Sequence, residues 1–308
     1  MERCLILLIR DVFELYKQNM RNINLAESTI QQYSKELTRF INFLEENKIQ
    51  EISDVKGFHI DMFNALLMRS GNVASTRSRK KSTLNNLFDY ALKMEIIERN
   101  PVNIIGKIKI TDGDTKPKEI LSEKDSEKLR KQIEKKSLYK TKNICIINVF
   151  SYCAIRVSEL SRMKWEDIDF KNKIITVKKG KGRKDRRVPL FKEIEEDLKK
   201  LKKEQNPKSD YVFTAKNTGR PMQPRSIHDL IKRHSSAAKI KKNVGCHTFR
   251  HTAATKYLTE GVNLRYIQKL LGHSNISTTM RYLNPDEQEV NKALQDAVTK
   301  INKRGKNK

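Results

Sequence analysis

Two short β-rich segments interrupt a chain whose other patterned stretches have helical periodicity. The segments are Ile174–Val177 and Arg187–Leu190. Gly180 and Gly182 lie in the short connection between them, and two glycines in such a connection are typical of a hairpin turn. The sequence therefore predicts a fold that is mainly α with a small antiparallel β-sheet.

The first hundred residues show helical patterns only. Ser28-Thr29-Ile30-Gln31 matches a capping box, which predicts Ser28 as a helix N-cap. Apolar residues at helical spacing follow it and recur in two further stretches, which end near Ser70 and before Pro101. Together with residues 3–18, these stretches predict four helices, which suffice for a small bundle. We therefore predict a helical-bundle N-terminal domain over residues 1–101.

A second domain is predicted beyond a linker. Residues 102–120 contain glycine, proline and polar residues without sustained periodicity, which is typical of a linker. Ser122-x-x-Asp125 then predicts the start of a helix. The helices predicted next are a polar surface helix at 123–136, a buried helix at 143–155 and a short helix at 157–164. With the two strands they predict an α+β domain over residues 121–290, followed by a C-terminal helix and basic tail over residues 291–308.

The charge of the chain favours a polyanionic partner. The formal net charge is +27, from 64 Lys and Arg against 37 Asp and Glu. Residues 1–110 carry 17 basic and 13 acidic residues, which leaves 47 basic and 24 acidic residues for the remainder. Such a field attracts nucleic acid at long range. A lysine-rich surface that serves solubility alone is the alternative.

The cysteines and the apolar run near the N-terminus indicate in which cellular compartment the protein works. Cys4, Cys145, Cys153 and Cys246 form no C-x-x-C pair, so the sequence predicts neither a zinc site nor a disulfide framework. The apolar run from Cys4 to Ile9 is too short for a membrane span or for a signal-peptide core. We therefore expect reduced thiols, no membrane partner, and a cytoplasmic, nucleoid-associated protein.

Six residues in the second half of the chain have the chemistry needed to break a phosphodiester. Two arginines can hold the non-bridging oxygens, because a planar guanidinium binds two phosphate oxygens at once. A tyrosine can attack the phosphorus, while lysine and histidine side chains move protons. No carboxylate cluster with metal-ligand spacing stands out, so we expect neither a metal nor another cofactor. The six residues are Arg156, Lys181, His247, Arg250, His273 and Tyr282.

This pattern closely resembles the tyrosine recombinase family, also called phage integrases, and its Xer-like members in particular. The resemblance rests on Ala154-Ile155-Arg156-Val157-Ser158-Glu159-Leu160, Gly180-Lys181-Gly182-Arg183-Lys184-Asp185-Arg186, His247-Thr248-Phe249-Arg250-His251, Leu271-Gly272-His273-Ser274 and Tyr282. It covers the whole predicted catalytic domain, and a weaker likeness extends to the helical N-terminal domain. The chain departs from the family in two places. Ala154 stands where glycine is usual, and Leu283-Asn284 follows the tyrosine in place of a polar-His pair.

The resemblance implies a role for each residue at the phosphate. Arg156 and Arg250 are expected to clamp the scissile phosphate, and His273 to hydrogen-bond one of its oxygens. Glu159, three residues after Arg156, is expected to orient that arginine as a supporting residue.

The resemblance also implies the steps of the reaction. Tyr282 is expected to attack, giving a 3′-phosphotyrosyl link and a free 5′-hydroxyl. Lys181 is expected to protonate the departing 5′ oxygen, and His247 to assist with the proton of the nucleophile. The covalent link keeps the energy of the broken bond, so rejoining needs neither ATP nor a metal.

The partners implied are double-stranded DNA recombination sites, a homo-tetramer in the synaptic complex, and accessory DNA-bending proteins. The basic run Arg77, Arg79, Lys80 and Lys81 is predicted to contact DNA phosphates, with a solvated face as the alternative. A type IB topoisomerase-like enzyme and a non-catalytic DNA-binding regulator on the same fold are the alternative functions. Integration, excision and dimer resolution all remain open as the biological role.

Overall fold

The computed structural model describes residues 7–111, 119–178, 185–205, 209–216 and 218–272. Contacts within the chain divide it into two compact units, Met1–Pro117 and Lys118–Lys308. Lys181, His273, Tyr282 and the predicted C-terminal helix lie outside the described residues. None of the described helices combines the length and the apolar composition that a membrane span requires.

In the N-terminal unit, residues 7–111 contain four α-helices, as the periodicity predicts, and one 3₁₀ turn. They are α1 (Ile9–Asn22), α2 (Glu27–Glu46), the 3₁₀ turn (Ile52–Asp54), α3 (Gly57–Arg69) and α4 (Ala74–Lys93). The core is centred on Phe40 of α2, which is fully buried. Its ring meets Phe63 of α3 edge-on at 5.1 Å between centroids and Phe88 of α4 at 6.2 Å. Such aromatic pairs add about 0.5–1.5 kcal/mol each beyond the area that they bury.

The predicted N-cap of the second helix is wrong. Helix α2 begins at Glu27 with Ala26 as its N-cap, and no side chain caps it. The amides of Thr29 and Ile30 already donate to the carbonyl of Ala26, so Ser28 lies inside the first turn. Glu27 places a negative charge in that first turn, which favours a helix start upstream of the serine.

The second unit contains seven α-helices and a three-stranded antiparallel sheet among the described residues. The helices are α5 (Glu123–Lys136), α6 (Lys140–Cys153), α7 (Val157–Ser161), α8 (Lys192–Glu204), α9 (Pro224–Ala237), α10 (Cys246–Thr259) and α11 (Leu264–Leu271). The strands are β1 (Ile168–Asp169), β2 (Ile174–Val177) and β3 (Arg186–Pro189), in the order β1-β2-β3. The predicted fold class is therefore confirmed. Strand β1 was not predicted, because a strand of two residues is too short to show an alternation of apolar and polar residues.

The sheet pairing fixes which side chain of β3 faces the core. Ile175 pairs with Val188, and Val177 pairs with Arg186. Side chains alternate along β3, so Arg186 shares the buried face with Val188, while Arg187 is exposed. The strand begins one residue earlier than its apolar residues predict, and that extra residue is the buried arginine.

Helix α6 is the centre of the second core. Nine of its residues are buried, including Ile144, Ile146 and Phe150. It packs between α8 and α10, and Phe150 stacks on Phe249 of α10 at 6.2 Å. The predicted capping box of the preceding helix α5 is present, because Ser122 and Asp125 exchange hydrogen bonds of 3.2 and 3.1 Å. The end of α6 leads directly to the predicted site.

Candidate active site

Arg156 is placed by the turn between helices α6 and α7. Helix α6 ends at Cys153, its C-cap Ala154 has a left-handed backbone (φ 48°, ψ 32°), and Arg156 is the N-cap residue of α7. The backbone amide of Arg156 donates to Oε2 of Glu159 at 2.7 Å, and its Nη1 donates to Oε1 at 3.0 Å. A carboxylate at the third helical position satisfies the N-cap amide in this way. The side chain of Arg156 is 34% exposed, so it remains accessible from solvent.

A second arginine, for which the sequence suggested no role, binds the same carboxylate. Nη1 and Nη2 of Arg186 donate to Oε1 and Oε2 of Glu159 at 2.8 and 2.9 Å. Both side chains are almost fully buried. The signal that could have revealed this pair is the alternation of β3, because an inward-facing charge on a strand requires a buried partner.

The pKa of Glu159 reflects these contacts. Burial alone raises the pKa of a carboxyl group, since it disfavours the charged form. Hydrogen bonds from Arg186 and from the amide of Arg156, together with the two positive charges, outweigh burial and lower the pKa of Glu159 to about 2. The carboxylate is therefore ionised throughout the physiological range, and it holds both arginines.

Arg250 lies on α10 and connects the ends of two other helices. Its Nη1 donates to the carbonyl of Ala154, and its Nη2 donates to the carbonyl of Leu271 at 2.6 Å. Ala154 is the C-cap of α6, and Leu271 is the last residue of α11. The last carbonyls of a helix have no partner within it, and a cation there is favoured by the helix dipole. Arg250 itself is only 3% exposed.

His247 lies on the same helix three residues before Arg250, so the two side chains project from neighbouring positions on α10. It is exposed in the first turn, whereas Cys246 beside it is buried. The left-handed Gly272 (φ 62°) caps α11 directly before His273. The structure thus brings Arg156, Glu159 and Arg250 to one region, with Arg186 added to them. Lys181, His273 and Tyr282 lie outside the described residues.

Each residue of the predicted DNA-contacting run has a partner in its own unit. Arg77 donates to Asn64 Oδ1 at 3.1 Å, and Arg79 pairs with Glu36. The four residues of the run lie within the first eight residues of α4.

The two lysines of the run are held more closely. Lys80 Nζ donates to Asn72 Oδ1 at 2.9 Å, and Lys81 Nζ donates to the carbonyls of Ile105 and Gly106 at 2.6 and 2.7 Å. Burial is the main cause that lowers the pKa of both lysines. In the described part of the chain, no group of three or more His, Cys, Asp or Glu could hold a metal ion.

Comparison with known proteins gives one result for both units. Residues 119–289 match the Phage integrase family, and residues 13–95 match the Phage integrase N-terminal SAM-like domain. A protein of Pseudothermotoga lettingae named Tyrosine recombinase is 32% identical over 291 residues, which cover 92% of this chain and 97% of the relative. A protein of Thermodesulfovibrio yellowstonii named Tyrosine recombinase XerC is 31% identical, covering 85% of this chain and 87% of the relative.

The fold also matches solved structures. The Tn1549 transposon integrase in complex with transposon right-end DNA aligns with a TM-score of 0.76 and 21% identity, covering 94% of this chain and 99% of that chain. The alignment covers most of both units, so the likeness in fold is not confined to one of them. The family matches and the full-length similarity together show that this chain belongs to the phage integrase family, the tyrosine recombinases.

Proposed function

We propose that the protein is a site-specific DNA recombinase that cuts and rejoins DNA through a 3′-phosphotyrosyl intermediate formed by Tyr282. The observation that carries this proposal is the arrangement of Arg156 and Arg250. Arg250 binds the carbonyl of Ala154, two residues before Arg156, so the two arginines of the proposed clamp belong to one connected structure. The family relatives are themselves named tyrosine recombinases.

The arginines would meet the charge that develops on the phosphate. Arg156 is partly exposed and is held by Glu159, so its guanidinium has a fixed direction before DNA arrives. Arg250 is fixed by its hydrogen bonds to the carbonyls of Ala154 and Leu271. Preorganised donors of this kind stabilise a transition state without reorganising during the reaction.

The covalent step exchanges one phosphoester for another. The phenolic oxygen of Tyr282 forms a bond to phosphorus as the bond from phosphorus to the 5′ oxygen breaks. We propose that His247 helps to accept the phenol proton, that Lys181 gives a proton to the 5′ oxygen, and that His273 donates to a phosphate oxygen. Attack by a second 5′-hydroxyl reverses these steps on a new strand, with no need for ATP or a metal ion.

The proposed substrate is double-stranded DNA carrying recombination sites, bound by both units. The net charge of +27 supports this partner. Solved structures similar to this chain include the Tn1549 integrase and XerH bound to DNA.

Exchange between two duplexes needs two cuts in each, so we propose a homo-tetramer in the synaptic complex, which accessory DNA-bending proteins can join. The protein would act in the cytoplasm, at the nucleoid. The proposed domain limits are 1–101, 102–120, 121–290 and 291–308.

A trapping experiment tests the proposal. A DNA site is first selected from genomic fragments by binding to the purified protein, and a nick is placed near its scissile phosphate so that the cut end is lost. The protein should then form a covalent complex, visible as a shifted band on a denaturing gel, in excess EDTA and without ATP. Tyr282→Phe should bind the site and form none. Tyr266→Phe, which alters an exposed tyrosine on α11, serves as the matched control.

Each possible result bears on one alternative. A covalent band from Tyr282→Phe would remove that residue as the nucleophile. Loss of cleavage in EDTA with binding intact would contradict the metal-free mechanism. Binding without any covalent complex from the unaltered protein would favour the regulator, and relaxation of supercoiled DNA without paired sites would favour a topoisomerase-like enzyme.

A further inference from the structure

Arg186 joins two parts of the second unit, Lys118–Lys308, that are distant in sequence. Two of its nitrogens bind both oxygens of Glu159 on α7, at 2.8 and 2.9 Å. Its third nitrogen, Nε, donates to the carbonyl of Leu270 on α11 at 2.8 Å. The side chain is buried at the start of β3, so a single residue fixes the distance between α7 and the last turn of α11.

These contacts close a ring through the proposed clamp. Leu271, next to Leu270, accepts from Arg250, which also donates to Ala154. Ala154 leads through one residue to Arg156, and Arg156 returns to Glu159. The ring therefore contains three arginines, of which two are assigned to the phosphate and the third, Arg186, has no such role.

We propose that Arg186 is a positioning residue for strand cleavage, which holds the Arg156–Glu159 pair and the end of α11 at one fixed separation. Arg250 binds the carbonyl of Leu271 at that same end, so Arg186 would set the positions of both arginines of the proposed clamp. This inference rests on the proposed recombinase activity of the same site.

Packing alone does not account for an arginine here. Burying a guanidinium and a carboxylate costs desolvation, and well-packed apolar residues often replace such a pair without loss of stability. An apolar residue would, however, make none of the three directed hydrogen bonds. Lysine would keep the charge but lacks the planar fork that binds both carboxylate oxygens. We therefore infer that Arg186 serves to fix the geometry of the groups that it binds rather than to increase the stability of the fold.

Arg186 also governs the ionisation of Glu159. Among the described residues, Arg156 and Arg186 are the cations that contact this carboxylate directly. The adjoining cavity is lined by further charged groups, namely Arg162, Lys164, Lys178, Glu166 and Asp167. Without Arg186, burial would raise the pKa of Glu159, since its principal hydrogen-bond donor would be gone. Arg156 would then lose its ionic partner as the pH falls.

The test uses the full-length protein and the nicked DNA site described above. The variants are Arg186→Met, Arg186→Lys and, as the matched control, Arg187→Met, which alters the exposed neighbour on β3. The measurements are the first-order rate of covalent complex formation at saturating DNA, from pH 8 to pH 5.5, and the dissociation constant for DNA. Amide hydrogen exchange in α11 is followed in parallel.

We expect Arg186→Met to slow cleavage by roughly 10–100-fold, the scale of a small misplacement of reacting groups. DNA affinity should change by less than about threefold, and α11 should exchange faster in its last turn. The rate of Arg186→Met should fall further below that of the unaltered protein as the pH decreases, and adding Glu159→Gln should remove this extra pH dependence. Arg187→Met should match the unaltered protein throughout.

Arg186→Lys keeps the proposal testable if the methionine variant does not fold. It should fold, cleave slowly and show an unaltered pH profile, because a cation still faces Glu159. Normal cleavage and normal exchange in a folded Arg186 variant would overturn the proposal, as would equal losses in DNA binding and cleavage. Failure of the unaltered protein to cleave would contradict the proposed function instead, and the exchange of α11 would still show whether Arg186 holds that helix.

Discussion

The guanidinium of Arg250 donates a hydrogen bond to the carbonyl of Ala154, a residue with left-handed backbone conformation. Glycine adopts this conformation without cost, whereas a residue with a Cβ atom is strained by it. Packing of the Cβ atom offsets the backbone strain at Ala154. The residue is completely buried in a small apolar cluster with Ala253, Ala254, Ile267 and Leu271. This explains how alanine can stand where the family usually has glycine.

Ala154→Gly should therefore be nearly neutral. Release of backbone strain, about 1 kcal/mol, opposes the loss of one buried methyl group, about 0.8 kcal/mol. Ala154→Val should lower the free energy of unfolding by about 2 kcal/mol or more, since a β-branched residue is a marked outlier at positive φ. Urea unfolding followed by the fluorescence of Trp165, the only tryptophan of the chain, reports on this unit. A stable valine variant would show that the turn is not left-handed.

Arg250 and Arg156 should differ in their effects on stability but not in their effects on cleavage. Arg250→Ala leaves two buried carbonyls without their donor and should lower the free energy of unfolding by about 3 kcal/mol. Arg156→Ala removes a partly exposed side chain and should cost about 1 kcal/mol. Each should slow cleavage by roughly 10²–10³, the effect of losing one transition-state donor.

The matched control for both is Arg225→Ala, whose side chain is 88% exposed on α9 and should affect neither property. Lysine should restore little cleavage at position 156 or 250, because it lacks the planar fork. Cleavage at a near-normal rate by either alanine variant would mean that the arginine in question does not act at the phosphate.

Local patterns predicted the elements well. The polar helix at 123–136 coincides with α5, and the strands differ from β2 and β3 by one residue at most. Helical periodicity and glycine-containing turns are read over a few residues, so a single sequence suffices for them. The predicted N-cap at Ser28 was wrong because the observed N-cap, Ala26, lies only two residues earlier, and periodicity does not resolve a shift of less than one turn.

The ring around the site could not be predicted in the same way. Arg186 lies 27 residues from Glu159 and 84 residues from Leu270 along the chain. Periodicity shows that a residue faces the core, but not which distant backbone group it meets there. The family resemblance supplied Arg156, Glu159 and Arg250, whereas the role of Arg186 required the folded backbone.

The basic run on α4 should contribute to DNA affinity through its salt dependence. With about 6–10 phosphate contacts, affinity should fall roughly 10³–10⁵ between 50 and 200 mM salt. Replacing Arg79, Lys80 and Lys81 together by alanine should flatten this dependence by about one unit of slope per lost contact. An unchanged slope would mean that these three side chains make no phosphate contacts.

Lys81 should have a second effect that separates it from its neighbours. Its ammonium holds the carbonyls of Ile105 and Gly106, and Ile105 packs on the N-terminal core. Lys81→Met should therefore destabilise this unit by about 1–2 kcal/mol. Circular dichroism during thermal unfolding, compared with Trp165 fluorescence from the other unit, would detect it. Unfolding of Lys81→Met at the normal temperature would show that these bonds are dispensable.

Assembly should depend on the C-terminal segment, which lies outside the described residues. Val290, Leu294, Ala297, Val298 and Ile301 have the spacing of one apolar helical stripe. Such a stripe needs a surface to cover it, and a neighbouring protomer would close a ring by head-to-tail donation. Deleting residues 288–308 should keep single-site binding and abolish two-protomer and synaptic complexes in gel-shift assays. Recombination by the truncated protein would instead mean that the stripe packs against its own domain.

Acid should destabilise the second unit through Glu159. Its pKa is about 2 in the folded protein, below the ordinary value of 4.5. A carboxyl group with a lowered pKa stabilises the folded state fully above its ordinary value, and this contribution is lost as the pH falls from about 4.5 towards 2. A shift of this size corresponds to about 3 kcal/mol at neutral pH, and the side chain is too buried for solvent to screen it strongly.

Glu159→Gln cannot lose a proton, so it isolates this contribution. The variant should be less stable than the unaltered protein at pH 7, and the difference in the free energy of unfolding should shrink steadily between pH 5 and pH 2.5. Urea unfolding followed by Trp165 fluorescence at each pH measures it. Glu134→Gln, which removes a surface carboxylate paired with Arg130, should show no such convergence. A difference that stays constant with pH would mean that Arg186 and Arg156 do not hold the ionised carboxylate, because only the charged form of Glu159 gains from their guanidinium groups.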